Sequence, residues 1–178
     1  VIFTIKENEK FRLKNIAFEG NTNFSQRKLK KELKEIKERK WYNFWVKSFD
    51  EKLLEEDKAL LTDFYQNQGY RDFNIVQDTL IVNEEKNSLT LVITVDEGEK
   101  YKYRNFTFEG NKIASSDELE TLLGLKEGGS YSKEEFEKAV FENMMSVYND
   151  KGYIFSNVNP EIFPVGDNLL DINFLFNE

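Results

Sequence analysis

Apolar residues recur at every second position along Leu89, Leu91, Ile93 and Val95, and again along Leu170, Ile172, Phe174 and Phe176, with four of the six residues between them polar. A period of two marks a strand with one face buried and one face wet. Shorter alternations at Ile16 and Phe18, and at Phe106 and Phe108, each run into Glu-Gly-Asn and predict a strand closed by a turn. Between these strands the period lengthens. Ser25 can cap a helix whose Leu29, Leu33 and Ile36 stand at i, i+4 and i+7. A second helix carries Leu53, Leu54, Leu60, Leu61, Phe64 and Tyr65, and Gly69 follows its last turn. Phe73 and Ile75 then open a strand, which turns back through Asn83 to Asn87.

The same order recurs further on. Ser115 with Glu118 and Ser132 with Glu135 are spaced as capping boxes. The first precedes Leu119, Leu122 and Leu123; the second precedes Phe136, Val140, Met144, Val147 and Tyr148, and Gly152 ends that helix. The recurrence is visible residue by residue. FRLKNIAFEGN at 11–21 matches YKYRNFTFEGN at 101–111, an offset of 90 residues. QNQGY at 66–70 matches NDKGY at 149–153, and INFLFNE at the end of the chain lines up with VITVDEG at 92–98. These matches predict two units, 10–97 and 98–178, each β-α-α-β-β. Residues 1–9 read as the last strand of a preceding unit, so the chain looks like a slice of a longer array. Each unit is expected to be an α+β layer pair, a three-stranded mixed sheet with two helices on one face. Glu97, Gly98, Glu99 and Lys100 form the short joint between the units and are the expected hinge.

Composition narrows the chemistry. With 33 acidic and 25 basic residues the net charge is −8, the wrong sign for a phosphate-binding surface, so no nucleic acid is expected. The absence of Cys and His removes thiolate sites, the commonest metal ligand and the usual neutral-pH general base. Adjacent carboxylates such as Glu55/Glu56 and Glu84/Glu85 diverge on regular elements, and no EF-hand spacing occurs. No enzyme activity, cofactor or metal is expected. No apolar run is long enough to span a bilayer.

The strand running into FEGN, the GY after the second helix and the closing V-x-E-G, each set at domain spacing along the whole chain, resemble the POTRA family. Lys40-Trp41-Tyr42-Asn43-Phe44-Trp45 and Asn159-Pro160-Glu161-Ile162 resemble features of the second and third POTRA domains of BamA-like outer-membrane protein assembly factors. The resemblance implies a periplasmic arm of an outer-membrane protein, with neighbouring POTRA domains and a C-terminal β-barrel. It implies two groups of partners, unfolded outer-membrane proteins as clients and accessory lipoproteins of the assembly complex. An arm of a dedicated secretion or organelle translocation channel, or an interaction module without client contact, has the same fold. In the family the second strand lies at a sheet edge and takes up an extended client by β-augmentation. The implied edges are Phe73, Asn74, Ile75, Val76 and Gln77 in one unit, and Asn157, Val158, Asn159, Pro160, Glu161 and Ile162 in the other. Proline cannot donate to a ladder, so Pro160 and Pro164 fit an edge, and they either mark it or block it. Trp41, Tyr42, Phe44 and Trp45 are either a partner-docking loop or packing over the unit's own helices.

Overall fold

The computed structural model describes residues 12–38 and 51–178. The expected strand at 1–9 and the loop bearing Trp41, Tyr42, Phe44 and Trp45 lie outside the described residues. The elements run β1 (Arg12–Glu19), α1 (Gln26–Glu32), α2 (Glu51–Asn67), β2 (Asn74–Asn83), β3 (Ser88–Asp96), β4 (Lys102–Glu109), α3 (Ser116–Leu123), α4 (Lys133–Glu137), α5 (Met145–Asp150), β5 (Asn157–Val165) and β6 (Leu169–Asn177), with a π-helical segment Lys138–Met144 joining α4 to α5.

Each unit holds one three-stranded mixed sheet, ordered β1-β3-β2 in the first and β4-β6-β5 in the second. The last strand of each unit is the central one. It pairs parallel with the first strand and antiparallel with the second. The first strands carry the same irregularity, between Leu13 and Asn15 and between Tyr103 and Asn105. By proximity the chain divides after Glu97, with Tyr65–Phe73 grouping with the second unit.

The period of two has the expected cause. Leu91, Ile93 and Val95 of β3, and Leu170, Ile172, Phe174 and Phe176 of β6, are buried under the helices. The core of the second unit gathers these β6 residues with Tyr103, Leu119, Leu123, Val140, Met144 and Tyr148. The opposite face of that sheet carries a polar row beside Leu175 and Phe163: the Thr107 hydroxyl donates to Asn173 Oδ1 at 2.9 Å, and Asn173 Nδ2 donates to Glu109 at 3.0 Å.

The repeated motif is a turn held by three devices. Gly20 and Gly110 have φ of +84° and +81°. A Cβ on Gly20 would overlap the Val95 carbonyl oxygen, and one on Gly110 the Phe176 carbonyl oxygen, so no other residue fits. Asn21 Nδ2 donates to the Phe24 carbonyl at 2.8 Å, and Asn111 Nδ2 to the Ala114 carbonyl at 3.0 Å. The third device is a glutamate at the end of the central strand. Glu97 Oε2 accepts from Thr22 N at 2.8 Å, Thr22 Oγ1 at 2.6 Å, Asn23 N at 3.0 Å and Asn23 Nδ2 at 2.7 Å. Glu178 Oε1 accepts from Lys112 N at 2.7 Å, Ile113 N at 2.9 Å and the Tyr148 hydroxyl at 2.9 Å. The equivalence of Glu97 with Glu178 corrects the end-to-end alignment of INFLFNE with VITVDEG by one residue. Pairing fixes it: Phe18 lies beside Ile93 as Phe108 lies beside Phe174.

Two helices depart from the expected pattern. Helix α1 ends at Glu32, so Leu33 and Ile36 are not on it, although both are buried. Asp57, fully buried on α2, draws the chain out of helix there. Its carboxylate accepts from Lys34 N at 2.6 Å, Glu35 N at 3.0 Å and Ile36 N at 2.6 Å. In the second unit Phe136, Val140, Met144 and Tyr148 are all buried. They recur every four residues, a longer step than an α-helix makes, and the wider π turns keep them on one side.

Candidate binding edges

Each sheet has two edges, and the structure treats them differently. On β1 side chains occupy outward backbone groups. Gln26 Oε1 accepts from Phe18 N at 2.9 Å while its Nε2 donates to the Phe18 carbonyl at 2.5 Å, and Glu38 Oε1 accepts from Ile16 N at 3.0 Å. The start of β4 is covered by the loop Gly128–Tyr131. Tyr103 N donates to the Gly129 carbonyl at 2.9 Å, Gly128 N to the Tyr103 carbonyl at 2.7 Å, and Tyr131 N to the Tyr101 carbonyl at 3.0 Å.

Among the described residues nothing hydrogen-bonds to the outward backbone of β2. The strand is exposed along almost its whole length, with Val76 at 59%, Leu80 at 38%, Ile81 at 53% and Val82 at 51% of full exposure. Opposite residues in a ladder share a face. Asp78 and Leu80 lie opposite Ile93 and Leu91, and Val82 lies opposite Leu89, so these three point to the helix side. Asp78 meets α2 there: its Oδ1 is 2.7 Å from Lys58 Nζ, which also lies 2.8 Å from Glu55 Oε1. The hydrogen bonds to Asp78 and then Glu55 hold the Lys58 ammonium above its ordinary pKa.

The matching positions of β5 follow from the common pairing. Pro160, Ile162 and Pro164 lie opposite Phe174, Ile172 and Leu170, where Asp78, Leu80 and Val82 stand in β2. Both prolines share one parity. A nitrogen without hydrogen is tolerated on the side away from the ladder, so the missing donors are on the outward edge. Of these three positions β5 keeps one outward donor, at Ile162; β2 keeps all three. β5 also pairs without a break, while β2 has an irregularity between Ile75 and Gln77.

The structure puts Asn74 to Gln77 and Asn157 to Ile162 on edge strands. Phe73 is not an edge residue. It precedes β2, is buried, and stacks on Tyr65 with ring centroids 4.0 Å apart. The open edge runs further than expected, through Leu80, Ile81 and Val82 to Asn83. Its signal was the β-branched run before Asn83. Glu97 is not a free joint residue either, since its carboxylate closes the first unit's turn; Asn168 Nδ2 donates to Glu99 at 3.1 Å within the second unit. Among the described residues no group of acidic side chains could hold a metal ion, and no helix is long and apolar enough to cross a membrane.

Two small sheets, each with its last strand central and a helical layer on one face, define a tandem two-layer α+β repeat, and known proteins share it. The POTRA family model, described as a surface antigen variable number repeat, matches residues 11–98 and 101–178. The chain belongs to the POTRA family. It is 32% identical over 166 residues to the outer membrane protein assembly factor BamA of Neisseria meningitidis, covering 90% of this chain and 20% of that protein. It is 34% identical over 165 residues to a putative outer membrane protein assembly factor of Treponema pallidum, covering 90% and 19%. The chain thus spans about a fifth of the length of these relatives. The crystal structure of POTRA3-5 of Haemophilus influenzae BamA matches with a TM-score of 0.73 at 25% identity, covering 94% of this chain and 66% of that one. BamA of Haemophilus ducreyi lacking POTRA domains 1-3 shares the fold, with a TM-score of 0.70 at 20% identity, covering 94% and 29%. Membership of this family is in keeping with the expectation that the chain is not an enzyme.

Proposed function

We propose that this pair is part of the periplasmic arm of an outer-membrane protein assembly factor, followed in the full protein by a C-terminal β-barrel, and that it receives unfolded barrel proteins by strand addition at β2. The observation that carries the reading is the edge of β2, uncovered among the described residues and fully donating, in a chain whose relatives are named for outer-membrane protein assembly. Main-chain pairing is nearly blind to side chains, which suits a receptor for many clients. Lys40-Trp41-Tyr42-Asn43-Phe44-Trp45 and Asn159-Pro160-Glu161-Ile162 support the second and third places in the array for this pair, while the matched crystal structure spans the third to fifth. Trp41, Tyr42, Phe44 and Trp45 are the proposed docking loop for an accessory lipoprotein, and Gly98, Glu99 and Lys100 the joint between the units.

The test is an NMR titration of the 178-residue chain with peptides copied from outer-membrane barrel strands. Amide shifts confined to β2 and its neighbours in β3 are expected. Shifts spread over the helices, or none at millimolar peptide, would sink the reading.

A further inference from the structure

Resting on that reading of β2 as the receiving edge, we propose that Asp78, held by Lys58, which it shares with Glu55, is a specificity-determining residue which selects an added strand bearing a lysine or arginine at the position facing it. The partner is therefore an extended strand with a central cation flanked by apolar residues on the helix side.

An added strand places alternate side chains on the helix side, level with Ile75, Asp78, Leu80 and Val82. Leu80 and Val82 are apolar and well exposed, so the incoming side chains beside them gain by being apolar. Asp78 interrupts that stripe. The carboxylates of Asp78 and Glu55 share one ammonium, at 2.7 and 2.8 Å, so the trio keeps a net charge of −1. Among the described residues only Oδ1 of Asp78 is engaged. A cation opposite Asp78 completes the charge balance and finds an acceptor; a carboxylate there meets like charge; an apolar residue buries the second oxygen without a partner. An inward-pointing charge on an edge strand also resists indiscriminate pairing. One residue thus both rejects and selects, as discrimination between partners commonly requires. In the second unit Pro160 takes this place, so β5 has no such reader.

The experiment uses nine-residue peptides alternating Val on the helix side and Thr on the other, N-methylated along one edge so that they cannot stack beyond pairs, and titrated at concentrations where they are monomeric. The central helix-side residue is Lys, Ser or Glu. A fourth peptide moves the Lys one place, onto the Thr face, at unchanged composition. Affinity is read from the β2 amide shifts of the whole chain. Binding is expected to be about threefold to fivefold tighter for Lys than for Ser, and weakest for Glu. The moved-Lys peptide should bind no better than the Ser peptide. Asp78→Asn should level the series, and Lys58→Met, which leaves both carboxylates unneutralised, should widen it. Equal binding of the two Lys isomers would overturn the proposal, because attraction to an acidic chain would then explain the preference. An order unchanged by Asp78→Asn would overturn it too. In both cases strand addition itself would stand. Failure of every peptide to shift β2 would sink strand addition and this proposal together.

Discussion

β2 and β5 occupy the same place in two copies of one fold, yet they offer a partner opposite things. β2 presents a continuous row of outward donors and a partly apolar flank with a charge at its centre. β5 presents prolines where β2 has Asp78 and Val82. The difference shows that repetition of a fold does not repeat its binding site. The sheet fixes which strand is at the edge, and two or three residues on that strand decide whether the edge is open.

The comparison can be broken at several levels. The largest effect is expected beneath the edge rather than on it. Asp57 stands on the buried face of α2, where the second unit's helix carries the apolar Val140. Asp57→Ala removes the acceptor of three backbone amides and should lower stability by about 3 kcal/mol. Urea denaturation of the full chain measures this, and Val140→Ala gives the purely apolar counterpart in the other unit. Next, Leu80→Pro gives β2 the outward gap that β5 has. It should weaken strand-peptide binding at β2 by about tenfold, leaving the melting temperature nearly unchanged, since the lost donor faces away from β3. A large drop in melting temperature would show that the outward assignment is wrong. Replacing both Pro160 and Pro164 by Val should create weak peptide binding at β5, seen as new shifts in β5 amides, still weaker than at β2. The smallest effect concerns the latch. Burial alone would raise the pKa of Glu178, but the amides of Ile113 and Lys112 and the Tyr148 hydroxyl hold it below its ordinary value of 4.5. A group whose folded pKa is depressed stabilises the fold above its unfolded pKa, and that contribution is lost as pH falls through the folded value. Glu178→Gln should therefore flatten the acid side of the stability profile below about pH 4.5. An unchanged acid limb would show that the latch carries no linkage.

Much of this was legible in the chain. Strands with one buried face write a period of two, so β3 and β6 and the units around them could be read directly. The FEGN match was legible as a repeat but not as a mechanism. The reason for its glycine is a carbonyl 75 or 66 residues away in sequence, at Val95 or Phe176, which no local pattern encodes. Asp57 was illegible for a related reason. A lone carboxylate at helical spacing reads as a solvated position unless the amides it serves are known. Leu33 and Ile36 fitted a helix because burial, not helicity, sets their spacing. The open edge was under-read at its far end because an edge strand exposed on both faces loses the alternation that would mark it. Phe73 was over-read because a buried aromatic and an edge aromatic look alike in one dimension.

The order of strands has a consequence for how the chain acquires its shape when it is delivered amino end first. Among the described strands β1 and β2 are not neighbours; each joins the sheet through β3, as β4 and β5 join theirs through β6. Until the final strand of a unit emerges there is no ladder for the earlier ones to join, and the carboxylate that closes the first turn arrives last of all. Each unit is therefore expected to remain without its sheet through most of its own synthesis and then to form it in a single event at its carboxyl end. A chain cut just before Ser88 would lose all of the first sheet rather than a third of it.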